Sequence, residues 1–136
     1  MTTVTSHQIE LVQTSFRKMQ PALGTATDLF YSRLFEVTPE VRKLFPEDMT
    51  ALKQKLAEML ETTIGNLHQF YTVQPTLKAL GERHVGYGVK TEHYALVGGA
   101  LLWAIGKSLG PDYTPEVRAA WTEVYTSLAG AMNGTG

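Results

Sequence analysis

The chain has 136 residues, with 12 basic and 13 acidic side chains for a formal net charge of -1, and no cysteine. That length fits a single domain over 1–136, frayed at 1–4 and 133–136, and suffices to bury a substantial core. Interspersed charge offers no basic face to nucleic acid or an anionic membrane, and the lack of thiols excludes disulfides, iron–sulfur clusters, thiol catalysis and cysteine-held metals, leaving imidazoles as the strong nitrogen ligands.

Thr5-Ser6-His7-Gln8 has the form of a capping box, and Ile9, Val12, Phe16 and Met19 recur behind it at helical spacing up to Pro21. Past that break Leu23, Ala26, Phe30 and Leu34 mark one face of a second helix, with Tyr31 and Phe35 displaced one position around it. Thr38-Pro39-Glu40 is a helix-start signal for a short element, Val41 to Phe45, that Pro46 stops. From about Met49 the set Leu52, Leu56, Met59, Leu60, Ile64 and Leu67 predicts a long helix ending near Gly65-Asn66, and residues 68–74 read as a loop. Thr91-Glu92 opens a helix with Tyr94, Val97, Leu101, Ile105 and Leu109 on one face and Trp103 off it, until Gly110-Pro111. Thr114-Pro115-Glu116 starts the last, with Val117, Trp121, Val124, Tyr125, Leu128 and Met132 inward. No stretch alternates like a strand, so the chain reads as about seven helices joined by short loops, all-α. The first residues carry no signal-peptide pattern and no apolar run approaches transmembrane length, which leads us to expect a cytoplasmic protein.

The remaining segment, Pro75 to Val89, reads as a short helix started by proline and ended by Gly86 and Gly88. Leu77, Leu80 and His84 share one side of it while Lys78, Glu82 and Arg83 face water, so the imidazole turns inward. Most inward histidines are core side chains bonded to a carbonyl, and His84 on its own reads that way. A phenol at Tyr31 in an apolar stripe and a phenylalanine at the Phe45 corner are odd for a plain helical core.

These features have company along the chain. Leu29-Phe-Tyr-Ser-Arg-Leu-Phe35, Pro39-Glu-Val-Arg-Lys-Leu-Phe45, Lys55-Leu56, Leu80-Gly-Glu-Arg-His84, Tyr87-Gly-Val89, His93-Tyr94-Ala-Leu-Val-Gly98, Leu109-Gly-Pro-Asp-Tyr-Thr-Pro and Arg118-Ala-Ala-Trp-Thr-Glu-Val-Tyr125 stand in order and at family spacing. Singly each is weak; together the chain resembles single-domain globins over nearly its whole length, most of all bacterial single-domain haemoglobins and neuroglobin-like proteins. The resemblance implies a three-over-three helical sandwich, lacking the small fourth helix, around a non-covalent haem b. His84 matches the proximal iron ligand, whose other ring nitrogen needs an acceptor such as the Leu80 carbonyl. Tyr31 matches a distal hydrogen-bond donor, the alternative being a core tyrosine bonded to a carbonyl. Leu52 occupies the position usually held by histidine or glutamine, which implies five-coordinate ferrous iron. Lys55 matches a propionate partner, with plain solvation the alternative, and Arg83 and His93 are weaker candidates for that role. Phe45 matches the phenylalanine against the haem plane, Leu56 the residue over the distal face, and Val89, Tyr94 and Val97 proximal lining.

For function the resemblance implies reversible binding of oxygen, and of CO and NO, at that iron. One alternative is a nitric oxide dioxygenase, which needs an electron donor. Flavohaemoglobins carry a reductase module after the globin and a proximal glutamate that would fall at about Gly136, so we expect any reductase to be separate and the proximal imidazole to be less polarised. A gas sensor is the other alternative. His7 and His68 read as solvated. Trp103 leaves open a monomer or a weak homodimer.

Overall fold

The computed structural model describes residues 4–72, 78–79 and 91–133, and for 70–72, 91–94 and 131–133 the backbone alone. Five α-helices have bounds within the described residues: α1 (Ser6–Met19), α2 (Leu23–Val37), α3 (Thr50–Gly65), α4 (Thr91–Leu109) and α5 (Pro115–Asn133); residues 78–79 are also helical. Tighter 3-10 segments, Gln20–Ala22, Pro39–Leu44, Leu67–Thr72 and Gly110–Asp112, join or follow them, and no strand occurs among the described residues. No helix among them is long and apolar enough to cross a membrane.

Local chemistry sets the helix ends. Thr5 Oγ1 accepts from the Gln8 amide at 3.1 Å while the Thr5 amide donates to Gln8 Oε1 at 3.0 Å, the expected capping box. Thr114 Oγ1 accepts from the Val117 amide at 3.2 Å and starts α5. Gly110 takes φ of 56°, a left-handed turn open to glycine at no steric cost, and so reverses the chain between α4 and α5. Residues 46–49 are not helical, as expected for a chain without the small fourth helix.

Two local readings change. Thr38 precedes the Pro39–Leu44 segment, but its hydroxyl caps nothing and is buried without a partner. Proline is no obstacle, since Thr114 caps across Pro115; the difference is that a 3-10 start aims the following amides away from the Thr38 hydroxyl. The stretch read as a loop from 68 is 3-10 helix over Leu67–Thr72, kinked at Gln69 and entered by the Gln69 amide donating to the Asn66 carbonyl at 2.9 Å. A three-residue turn leaves no 3.6-residue apolar period to read.

α2 lies along α4 and α1 along α5, with α3 set against α1 and α2. Where α4 meets α5 a Cβ on Gly98 would stand 2.5 Å from the Tyr125 ring, so glycine permits that approach. The buried side chains form two clusters. One gathers Ile9, Val12, Phe16, Ile64, Trp121 and Val124 between α1, α3 and α5; the other centres on Phe30, Tyr31, Leu34, Val41, Ala100 and Ala104 between α2 and α4. Ala100 and Ala104 are sealed more deeply than Val97 and Leu101 of the expected stripe, because small side chains let α2 come close. Trp103 stays half-buried, with the Arg33 guanidinium 5.1 Å and the Lys107 ammonium 5.7 Å from its ring centre.

Candidate functional site

Tyr31 sits on the side of α2 that faces α4, and three rings surround it. Phe30 lies edge-on at 4.8 Å between centroids, Phe45 edge-on at 5.9 Å, and Phe35 at 6.0 Å, while Phe35 and Phe45 meet each other at 5.3 Å. Edge-to-face contacts at these distances favour a fixed arrangement over a fluid one. α2 supplies three of the rings because residues one, four and five positions apart fall on neighbouring strips of a helix. Phe45 joins from the corner, where the chain leaves the Pro39–Leu44 segment in extended conformation.

The Tyr31 side chain is buried, yet no side chain or carbonyl of the described residues accepts from its hydroxyl. Nor is that oxygen among the sealed orphans, which for the described residues are the hydroxyls of Thr38 and Tyr113. Burial pushes the phenol up to about 12, because a phenolate would lose its hydration here. At neutral pH it is a neutral donor that no described residue pairs.

Around it stands a half-covered apolar rim: Leu44, Phe45, Met49, Leu56, Val97 and Leu101 pack against the Tyr31 cluster but are only partly buried. Beside Leu56 is a small apolar cavity of about 10 Å³, lined also by Phe16, Met19, Phe30, Leu101 and Trp121, close to the least that holds a molecule the size of water. A larger groove of about 340 Å³ lies between α2 and α3, open to solvent and bridged by Lys53 and Asp28 at 2.9 Å, but it shares no residue with the Tyr31 cluster.

Of the residues expected at the site, the structure thus brings together Tyr31, Phe45, Leu56 and Val97. Leu52 is half-buried on α3 outside that cluster, and Lys55 is exposed. Leu80, Arg83, His84, Val89 and the side chains of Tyr94 and His93 lie outside the described residues. His68 is exposed as expected, and His7, also exposed, bonds Glu116 at 2.5 Å. Ala100, Ala104, Leu44 and Met49 also form the wall, and the sequence flags them weakly: two alanines four apart on α4 are the one local sign. Among the described residues no group of three or more histidines, aspartates or glutamates comes together to hold a metal, so this half has apolar surface and one donor to offer.

A family model for globins matches residues 28–132. The flavohemoprotein of Bacillus subtilis (strain 168) is 33% identical over 129 residues, covering 93% of this chain and 32% of that protein. This chain thus spans about a third of that relative's length. Neuroglobin-1 of Oncorhynchus mykiss is 28% identical over 148 residues, covering 98% of this chain and 92% of its own. Among solved structures, an engineered carbene transferase from a Rhodothermus marinus protein named as a nitric oxide dioxygenase superposes with a TM-score of 0.88 at 31% identity, covering 97% of this chain and 92% of that one. A bacterial globin from Campylobacter jejuni gives 0.85 at 26% identity, covering 96% and 95%. The family implies haem, and a half-covered apolar rim beside a phenol that no described residue pairs fits a largely apolar group with a polar centre. With an all-α fold that superposes on bacterial globins and a family match over most of its length, the chain belongs to the globin family.

Proposed function

We propose that this chain is a single globin domain over 1–136 that binds a diatomic gas, oxygen above all, on a haem b held through His84. The observation that carries the reading is the Tyr31 hydroxyl, buried, neutral and unpaired among the described residues. Haem supplies the iron to which the gas binds. Everything else is the work of side chains. Tyr31 donates to the gas ligand, a hydrogen bond that gains strength from the surrounding rings, since they exclude competing water. Phe45, Leu56 and Val97 cover the macrocycle and keep the pocket apolar. Leu52 brings no second donor and no sixth ligand. The Leu80 carbonyl would accept a hydrogen bond from the other imidazole nitrogen of His84, Lys55 and Arg83 would pair with the propionates, and Val89 and Tyr94 would line the proximal side.

The test is spectroscopic and kinetic. Purified protein should show one broad ferrous visible band that splits on adding CO, and Tyr31→Phe should speed oxygen dissociation about tenfold, the value of one well-made hydrogen bond to a polarised acceptor. Unchanged dissociation would remove Tyr31 from the role. His84→Ala should abolish the normal haem spectrum.

A second reading is favoured by the kinship with flavohemoproteins and with a protein named as a nitric oxide dioxygenase. In it nitric oxide, oxygen and one electron give nitrate, Tyr31 orients the oxygen, and a reductase supplies the electron. Nitrate formed over many turnovers with an added reductase supports it; a single turnover leaves the gas-binding reading.

A further inference from the structure

Besides its ring contacts, the Phe45 corner is held by a cation three residues before it. In the Pro39–Leu44 segment the Arg42 carbonyl accepts from the Phe45 amide at 3.1 Å. Its guanidinium then turns forward over the corner: Nη1 donates to the Phe45 carbonyl at 3.3 Å and to the Pro46 carbonyl at 2.8 Å, and Nη2 to the Glu47 carbonyl at 3.1 Å. The same group lies 5.0 Å from the centre of the Phe35 ring. One side chain thus gathers three successive carbonyls of a non-helical corner and covers one of the rings that Phe45 meets. Among the described residues no other side chain donates to those carbonyls, and Arg42 has no carboxylate partner that competes for its protons.

The arrangement forms a chain of contacts from solvent to the site. Arg42 fixes the corner; the corner fixes Phe45; Phe45 and Phe35 bracket Tyr31 at 5.9 and 6.0 Å. We propose that Arg42 is a positioning residue for the gas-binding site, holding the Phe45 corner so that the Phe35–Phe45 pair keeps the Tyr31 hydroxyl aimed at the ligand. The guanidinium fork suits the task and an ammonium does not, because a point charge on a flexible stem cannot serve three carbonyls at fixed spacing. Removing it leaves three carbonyls to water and a corner free to swing.

The inference rests on Tyr31 as the donor, and the experiment separates the two. Oxygen dissociation is measured in the haem-loaded wild type, Arg42→Ala, Arg42→Lys, Tyr31→Phe and the Arg42→Ala/Tyr31→Phe double variant, with hydrogen exchange followed at the Phe45 amide, from which the Arg42 carbonyl accepts at 3.1 Å. Arg42→Ala should speed dissociation about three- to tenfold where Tyr31 is present and leave it unchanged in the Tyr31→Phe background, a coupling of the size neighbours in one network show. Arg42→Lys should fall between, and exchange at the Phe45 amide should quicken in both. Equal acceleration in both backgrounds, or none in either, overturns the positioning role; unchanged exchange overturns the hold on the corner. Should Tyr31→Phe by itself leave dissociation unchanged, the donor reading fails, and with it what Arg42 positions, while exchange still decides whether it holds the corner. If Arg42→Ala does not fold, Arg42→Lys against Tyr31→Phe carries the same cycle.

Discussion

Two buried polar groups, one in each hydrophobic cluster, have opposite fates. In the α1–α3–α5 cluster the Trp121 indole donates to Ser15 Oγ at 2.8 Å, and Ser15 in turn donates to the Leu11 carbonyl at 2.7 Å, so these two groups are satisfied inside the protein, while the Tyr113 hydroxyl at the edge of the cluster is sealed without a partner among the described residues. Val12, Ala120 and Val124 around them are 0–1% exposed. In the α2–α4 cluster no described residue accepts from the Tyr31 hydroxyl, and the apolar side chains beside it are partly uncovered. The first region closes on itself; in the second the described residues leave a donor without a protein partner.

If that contrast holds, the largest loss of stability lies in the closed cluster. Trp121→Ala should cost about 3–5 kcal/mol in denaturant unfolding, since it empties a site already beside a small cavity and orphans Ser15. A loss below about 1 kcal/mol would mean that this cluster is not the keystone. Gly98→Ala comes next, at about 1–3 kcal/mol, because the new methyl must push the Tyr125 ring aside. Ser15→Ala should cost about as much, about 1–3 kcal/mol, by leaving the indole N–H buried and unpaired.

Alkaline titration sharpens the comparison from the other side. Burial raises the Tyr31 phenol from 10.0 to about 12, so folded protein holds a proton that the unfolded chain releases. Stability is therefore intact below about pH 10 and falls as pH rises towards 12, by on the order of 2 kcal/mol, and Tyr31→Phe should flatten that fall. Tyr113, raised in the same direction by burial, leaves a residual slope. The smallest effect is Tyr31→Phe at neutral pH, within about 1 kcal/mol of wild type when both carry the same haem content, as it deletes a hydroxyl that no described residue pairs. A cost of 2 kcal/mol or more would give the phenol a structural partner and end the contrast.

The helices were readable because each rests on local chemistry: the Thr5–Gln8 box, the Thr114 cap, the Gly110 turn and the 3.6-residue stripes need only neighbours in sequence. Tyr31 was readable as an anomaly, a phenol in an apolar stripe, and Phe45 as a ring at a corner. The sequence does not tell a paired phenol from an unpaired one. That depends on whether an acceptor from another helix comes within reach, as a hydroxyl comes to Trp121 from α1 and none comes to Tyr31 from the described residues. Nothing local singles out Arg42, because its three acceptors lie together only once the corner bends back over it. Burial of Ala100 and Ala104 ahead of larger neighbours was equally hidden, being a property of how closely α2 approaches α4.

By itself, then, the sequence determined the all-α class, the helix boundaries set by caps and breakers, and the family, through residues in order at fixed spacing. Tertiary structure decided which polar groups are satisfied, which apolar side chains form a closed core and which an open rim, and what Arg42 holds. The division has one physical cause: caps and periodicity act over a few residues, whereas pairing a buried group depends on the meeting of elements distant along the chain.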